Sequence, residues 1–204
     1  MSALARVKLP AMKKPVSAPP HEVRILGGLW KRSKLPVADK PGLRPTPSRV
    51  RETLFNWLGQ DLTGWRCLDA FAGTGALGFE AASRGAADVV LIENDARLTA
   101  QLQAIRTRLK AENVRVQRGD ALAALRERAG QGLDVVFLDP PFDAEAVFAP
   151  ALAAARAAVR DGGFVYLEAP RPYTDADLAA AGLGVHRHGR AGAVAFHLLR
   201  PLTG

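Results

Sequence analysis

The sequence predicts an α/β fold: a mostly parallel sheet with helices on both faces, entered through a basic N-terminal arm. Three observations carry this expectation. From Arg66 onward short apolar runs alternate with amphipathic stretches, the strand–helix rhythm of a parallel sheet. Two of those runs end in loops that place an acid beside glycines or prolines, Asp69–Gly75 and Asp139–Phe142, where open α/β sheets bind ligands. Finally, Gly184–His188 and Ala193–Leu199 flank the turn-like Gly189-Arg190-Ala191-Gly192 and read as a closing antiparallel hairpin.

Residues 1–20 hold four prolines and four Lys/Arg with few large apolar groups, so a basic, Pro-rich disordered tail is expected over residues 1–21. Val23, Ile25 and Leu29 around Gly27-Gly28, then Trp30, Lys31, Arg32, Lys34 and Leu35, suggest a short hairpin or extended arm within residues 22–45. Pro41, Gly42, Pro45 and Pro47 make an irregular connector. A helix follows, capped by Thr46 or Ser48 with Pro47 in its first turn. Val50, Leu54, Trp57 and Leu58 share one face of it, and Gly59 or Gly64 ends it. Strands are expected over Arg66–Ala70, Asp88–Ile92, Val114–Gln117, Asp134–Leu138 and Phe164–Glu168. Helices are expected over 76–84, 95–111, 120–129 and 144–159. Residues 46–204 should form one domain.

The 204 residues carry a formal net charge of +8, unevenly placed. Residues 1–51 hold 12 Lys/Arg against 2 Asp/Glu, whereas residues 52–204 hold 16 against 18. A cationic arm on a nearly neutral body suits a polyanion, nucleic acid above all. A single cysteine, Cys67, excludes a disulfide framework and suits a reducing compartment. No apolar run approaches the roughly 20 residues of a membrane span. The basic N-terminus lacks the apolar core of a secretory signal. A soluble, cytoplasmic protein is expected, and nothing demands more than a monomer.

Asp69-Ala70-Phe71-Ala72-Gly73-Thr74-Gly75 joins a strand to a helix. Its glycines allow positive φ and close backbone approach, and the helix N-terminus offers free N–H groups. Eighteen residues beyond Gly75, Glu93 closes the next strand, where a carboxylate can accept both hydrogen bonds of a ribose diol. Gly73, Gly75 and Gly78 also satisfy the dinucleotide spacing G-x-G-x-x-G, so the glycines alone do not discriminate. Asp69 does. An anion at that strand end repels a pyrophosphate and suits the cationic amino-acid end of S-adenosylmethionine (SAM). Gly119-Asp120-Ala121, past the third strand, suits an adenine edge, with Asp120 accepting from the exocyclic amine; Asp120 suits a helix N-cap as well. In Asp139-Pro140-Pro141-Phe142 the prolines donate no backbone hydrogen bonds and restrict the carbonyls. The Asp139 side chain and the Pro140 carbonyl then offer adjacent acceptors to an exocyclic –NH2 group, and Phe142 offers a flat face to its ring.

These two loops resemble those of the SAM-dependent amino methyltransferases. Three further stretches are more specific: Arg24-Ile25-Leu26-Gly27-Gly28-Leu29-Trp30, Gly42-Leu43-Arg44-Pro45-Thr46 and Arg49-Val50-Arg51-Glu52-Thr53-Leu54-Phe55-Asn56-Trp57-Leu58. They resemble the bacterial 16S rRNA guanine-N2 methyltransferase family, with similarity from about Arg24 to Arg200. Thr74 stands where that family often has Ser. The resemblance implies a Rossmann-like class I methyltransferase fold, a seven-stranded, mostly parallel sheet with an antiparallel last strand. It implies SAM as cofactor, S-adenosylhomocysteine as product, and guanine 966 of 16S rRNA as target. Its partner would be that rRNA or the assembling 30S subunit, held in part by the arm. Phe71, Ala72, Gly73, Thr74 and Gly75 would then approach the methionine part of SAM, Asp69 its amino group, Glu93 and Asn94 the ribose, and Asp120 and Ala121 the adenine. Asp139, Pro140, Pro141 and Phe142 would hold the guanine, with Asp139 also bordering the cofactor.

Arg24, Trp30, Lys31, Arg32, Lys34, Arg44, Arg49 and Arg51 are the candidate RNA contacts. For Trp30 the alternative is packing, and for the arginines a solvated helix face. Other readings stay open: a DNA adenine-N6 methyltransferase, a non-catalytic rRNA-binding assembly factor, and a nicotinamide dehydrogenase. His186, His188 and His197 invite a metal reading, and strand alternation sets His186 and His188 on one face. No Cys or carboxylate partner has ligand spacing, so no metal is expected. Cys67 reads as buried packing.

Overall fold

A computed structural model of the chain describes residues 22–40 and 42–202; the tail expected over residues 1–21 lies outside them. The elements in chain order are β1 (Glu22–Arg24), β2 (Lys34–Pro36), α1 (Ser48–Trp57), β3 (Arg66–Asp69), α2 (Ala76–Ser83), β4 (Asp88–Glu93), α3 (Ala96–Leu109), β5 (Val114–Arg118), α4 (Ala121–Arg126), β6 (Leu133–Leu138), α5 (Glu145–Ala158), β7 (Val159–Ala169), α6 (Asp175–Leu178), β8 (Leu183–Ala191) and β9 (Val194–Pro201). β1 and β2 pair antiparallel as a separate two-stranded ribbon. The other strands form a seven-stranded sheet in the order β5-β4-β3-β6-β7-β9-β8. β3 to β7 are parallel; β9 is antiparallel to both its neighbours, β7 and β8. The last strand is thus the antiparallel one, and it lies inside the sheet rather than at the edge.

Side chains alternate between the two faces with the strand period of two. Cys67, Val89, Leu91, Val135 and Phe137 pack under α1, α2, α3 and the β1–β2 ribbon. Leu68, Val90, Ile92, Val136 and Leu138 pack under α4 and α5. The ribbon contributes Val23, Ile25 and Leu35 to the first of these layers, so it shares the core instead of standing away from it. From β3 the chain winds outward through β4 and β5. From β6 it winds the other way through β7. The loops after β3 and β6 therefore part and leave a crevice at the C-terminal ends of the strands.

Several boundaries differ from expectation for local reasons. Neither Thr46 nor Ser48 caps α1: its N-cap is Pro47, with no side-chain bond, because the Thr46 hydroxyl donates instead to Glu168 at 2.6 Å. The far end of α1 closes as expected on Gly59, at φ +93°. There the Gly59 and Gln60 amides return to the Asn56 and Phe55 carbonyls. β7 starts at Val159, well before the expected Phe164. Gly163 allows this early start, since a Cβ there would sit 2.9 Å from the Leu133 carbonyl oxygen. In β8 the register shifts between Val185 and Arg187, so the alternation expected for His186 and His188 is broken there.

The connector after β2 positions the site. Gln101 of α3 bonds the Pro36 carbonyl, Lys40 pairs with Asp95 at 2.9 Å, and Thr46 reaches Glu168. Residues 36–40 thus climb along α3, and residues 42–46 cross the C-terminal ends of the strands from the glycine loop after β3 to the end of β7. The loop between β1 and β2 lies at the other end of α2, where the Leu29 and Trp30 amides bond the Ser83 carbonyl and hydroxyl at 2.7 and 2.9 Å.

Candidate functional site at the C-terminal ends of the strands

The glycine loop after β3 turns on two residues with left-handed backbone, Gly73 at φ +50° and Gly75 at φ +75°. Gly75 is the N-cap of α2. Leu43 from the connector lies over Gly73, where a Cβ would approach its Cδ1 to 3.2 Å. Phe71 is half-buried, and Ala72 and Thr74 are buried. Asp69 is buried beneath them, and its Oδ2 accepts from the Gly78 amide at 3.0 Å in the first turn of α2. Burial pushes its carboxyl up to about 7, against the pull of that amide. Gly78, the third glycine of the spacing, serves close packing on β4: a Cβ there would meet Leu91 Cδ2 at 2.0 Å.

Glu93 ends β4. Its Oε2 accepts from the Gly73 amide and its Oε1 from the Asp95 amide, both at 2.9 Å. An ionised carboxylate has about four lone-pair sites, so two remain for a ligand. Asn94 is exposed. Asp120 is exposed and caps α4 through the Ala123 amide at 2.8 Å, the cap foreseen from sequence. It lines, with Gly119, Ile92, Gln117 and Arg118, a cavity of about 430 Å³. Ala121 is buried behind it.

Asp139 follows β6 directly. Pro140 is buried, Pro141 is exposed, and Phe142 shows 38% of its surface, one of the few large apolar side chains turned outward. Burial pushes the Asp139 carboxyl well above its usual range, and the nearby charges of Glu168 and Asp69 push the same way.

The crevice thus brings together Asp69, the glycine loop, Glu93 and Asp139–Phe142. The RNA candidates, in contrast, divide. Arg44 and Arg49 are exposed near the crevice, on the connector and α1. Trp30, Lys31 and Arg32 lie at the far end of α2, about 12 Å of helix away from Gly75. Trp30 is half-buried and packs on the core, the second of its two expected roles. Arg24 and Lys34 are exposed and share Glu22, at 3.5 and 3.1 Å.

Arg51 does not belong with them. It is 1% exposed, bonds the Arg24 and Thr46 carbonyls, and pairs with the buried Glu80 at 3.4 Å. Glu80 also accepts from the Leu26 and Gly27 amides and from Arg84. This buried pair ties the arm to α1 and α2. Two signals in the sequence pointed to it: Arg51 shares the face of Leu54 and Phe55, and Glu80 is the one acid in an otherwise apolar helix. Glu168 was also missed as a site residue, although it closes the apolar run Val165-Tyr166-Leu167.

A family model described as Conserved hypothetical protein 95 matches residues 23–200. The chain belongs to this family. Ribosomal RNA small subunit methyltransferase D of Escherichia coli (strain K12) is 51% identical over 131 residues, which cover 64% of this chain and 66% of that protein. The protein of the same name from Haemophilus influenzae is 49% identical over 124 residues, covering 59% and 64%. The matched stretch therefore spans slightly under two thirds of these relatives. The solved structure of yhhF from Escherichia coli matches with a TM-score of 0.76 at 39% identity, over 90% of this chain and 99% of that one. The fold is the Rossmann-like class I fold of methyltransferases. A fold hosts many chemistries, so the reaction has to be argued from the site.

Proposed function

We propose that this protein transfers a methyl group from SAM to the N2 amine of a guanine in 16S rRNA, at position 966 by resemblance. One observation carries the reading: the Asp139–Phe142 loop stands at the end of β6, the strand beside β3 and its glycine loop, with Phe142 turned outward. The names of the Escherichia coli and Haemophilus influenzae relatives support an rRNA substrate.

The residues fit SAM on charge. Asp69, Glu93, Asp139 and Glu168 gather at the strand ends, and the charges that act on Asp69 and Asp139 are all carboxylates. A sheltered cluster of carboxyls suits a ligand with an ammonium and a sulfonium, because a cation beside them favours their ionised form. Gly73 and Gly75 let backbone approach the methionine part, Glu93 offers its free lone pairs to the ribose, and Asp120 and Ala121 bound the adenine. Bound there, SAM supplies a methyl already activated on sulfur, so the chain's work is chiefly positioning. Asp139 and the Pro140 carbonyl take the two hydrogens of the guanine amine and aim its lone pair. Phe142 stacks on the base. Asp139 then accepts the proton that N2 gives up once its new bond has formed. Arg44 and Arg49 near the crevice, and Arg24, Lys31, Arg32 and Lys34 on the ribbon, contact phosphates.

The test is transfer of tritiated methyl from SAM to 30S particles and to naked 16S rRNA, both from cells lacking this protein. N2-methylguanosine at one site supports the reading. No transfer to either, or N6-methyladenine formed in DNA, overturns it.

A further inference from the structure

Glu168 stands beside Asp139 for a reason of register. In the parallel pair β6–β7, Leu138 faces Leu167, so the next residues, Asp139 and Glu168, stand side by side at the strand ends. Glu168 is 3% exposed, and its Oε1 accepts both the Thr46 hydroxyl at 2.6 Å and the Tyr166 hydroxyl at 2.9 Å. A half-buried carboxyl, Asp139, and a buried one, Glu168, therefore stand next to each other, the second held by a hydroxyl from the connector that crosses the site. Around them stand Asp69 from β3, Tyr166 from β7 and Thr46 from the connector; among the described residues no cation acts on either. Two such carboxyls cannot both ionise without cost.

We infer that Glu168 is a positioning residue for the proposed methyl transfer: with Thr46 and Tyr166 it forms a proton-sharing pair with Asp139 and so sets when Asp139 is free to accept the amine hydrogens. The inference rests on the methyltransferase reading for its chemistry, but not for its geometry. The two hydroxyl donors favour charge on Glu168, which leaves the shared proton on Asp139. Burial and the Glu168 charge both hold that proton on, so Asp139 gives it up above the ordinary carboxylate range. In the reaction the N2–methyl bond forms as the sulfur–methyl bond breaks; the N2 proton passes to the ionised Asp139 and then to solvent.

The signs make the test specific. Glu168→Gln removes a like charge, so the Asp139 midpoint, followed by carbon NMR of labelled aspartate carboxyls and assigned with Asp139→Asn, should fall by at least one pH unit. The acid limb of single-turnover transfer should fall with it. Thr46→Val removes a donor that stabilises the ionised pair, so the limb should move up, and Thr46→Ser should restore it. Should Glu168→Gln fail to fold, Tyr166→Phe keeps the ring, removes one donor, and should raise the limb as Thr46→Val does. An Asp139 midpoint unmoved by Glu168→Gln, or a uniform loss of rate with no shift of limb, overturns the pair while transfer by the unaltered protein leaves the function standing. A shifted midpoint in a protein that methylates no rRNA supports the pair and overturns the function instead.

Discussion

Gly78 and Asp69 share a space with no slack, which makes each sensitive in its own way. A methyl group at Gly78 would fall 2.0 Å from Leu91 Cδ2 and 3.2 Å from Asp69 Oδ2. Gly78→Ala should therefore cost about 1–3 kcal/mol through overpacking, read as a lower denaturant midpoint at unchanged slope. Asp69 answers to pH. Its carboxyl is pushed up to about 7 in the folded protein, against about 4 in an unfolded chain. Between those values the folded state holds a proton that the unfolded chain has lost, so stability falls as pH rises through the window. Asp69→Asn should flatten that fall in thermal midpoints taken from pH 4 to 8; an identical profile would assign it to other groups. At Asp139, substitution by Ala should abolish transfer while SAM binding, measured by calorimetry, survives. Loss of both together would make the residue structural.

At the scale of elements, α1 separates two kinds of arginine that look alike in sequence. Arg51 lies in the buried pair with Glu80, whereas Arg49 is exposed. Arg51→Ala should cost roughly 3 kcal/mol, since it leaves a buried charge short of a partner. Arg49→Ala should change stability by less than about 0.5 kcal/mol and weaken RNA binding. Denaturant midpoints and filter binding on the same two variants check both claims. The parallel sheet, its helices and the closing hairpin were legible because apolar periodicity is a local property. The glycine loop, Glu93 and the Asp139–Phe142 loop were legible because their residue types have few other uses at strand ends. Arg51 and Glu168 were legible only as charges in an apolar context, because such a side chain shows its partner only when the fold brings that partner near. Thr46 read as a helix cap for the same reason: the competing acceptor is 122 residues away in sequence.

Among the described residues, the candidate RNA cations fall in two groups. The exposed connector and α1 arginines stand near the crevice, while Lys31 and Arg32 sit at the opposite end of α2. An RNA that touches both groups has to run along the flank of α2 and α3, so Lys31→Ala with Arg32→Ala should weaken rRNA binding while leaving SAM binding unchanged. Removing residues 1–20 takes away four more Lys/Arg. It should lower rRNA affinity mainly at low salt and reduce the slope of log affinity against log salt; an unchanged slope would remove that segment from the binding surface. By itself the sequence determined the order of strands and helices, the loops that end them and the concentration of charge in the first quarter of the chain, because each follows from neighbouring residues. Only the tertiary structure decided which charges are buried and where the arm lies. It packs the ribbon against α2 and α3, draws the connector across the strand ends, and sets Glu168 beside Asp139. Those placements depend on sheet register and on contacts between distant segments, and no local pattern encodes them.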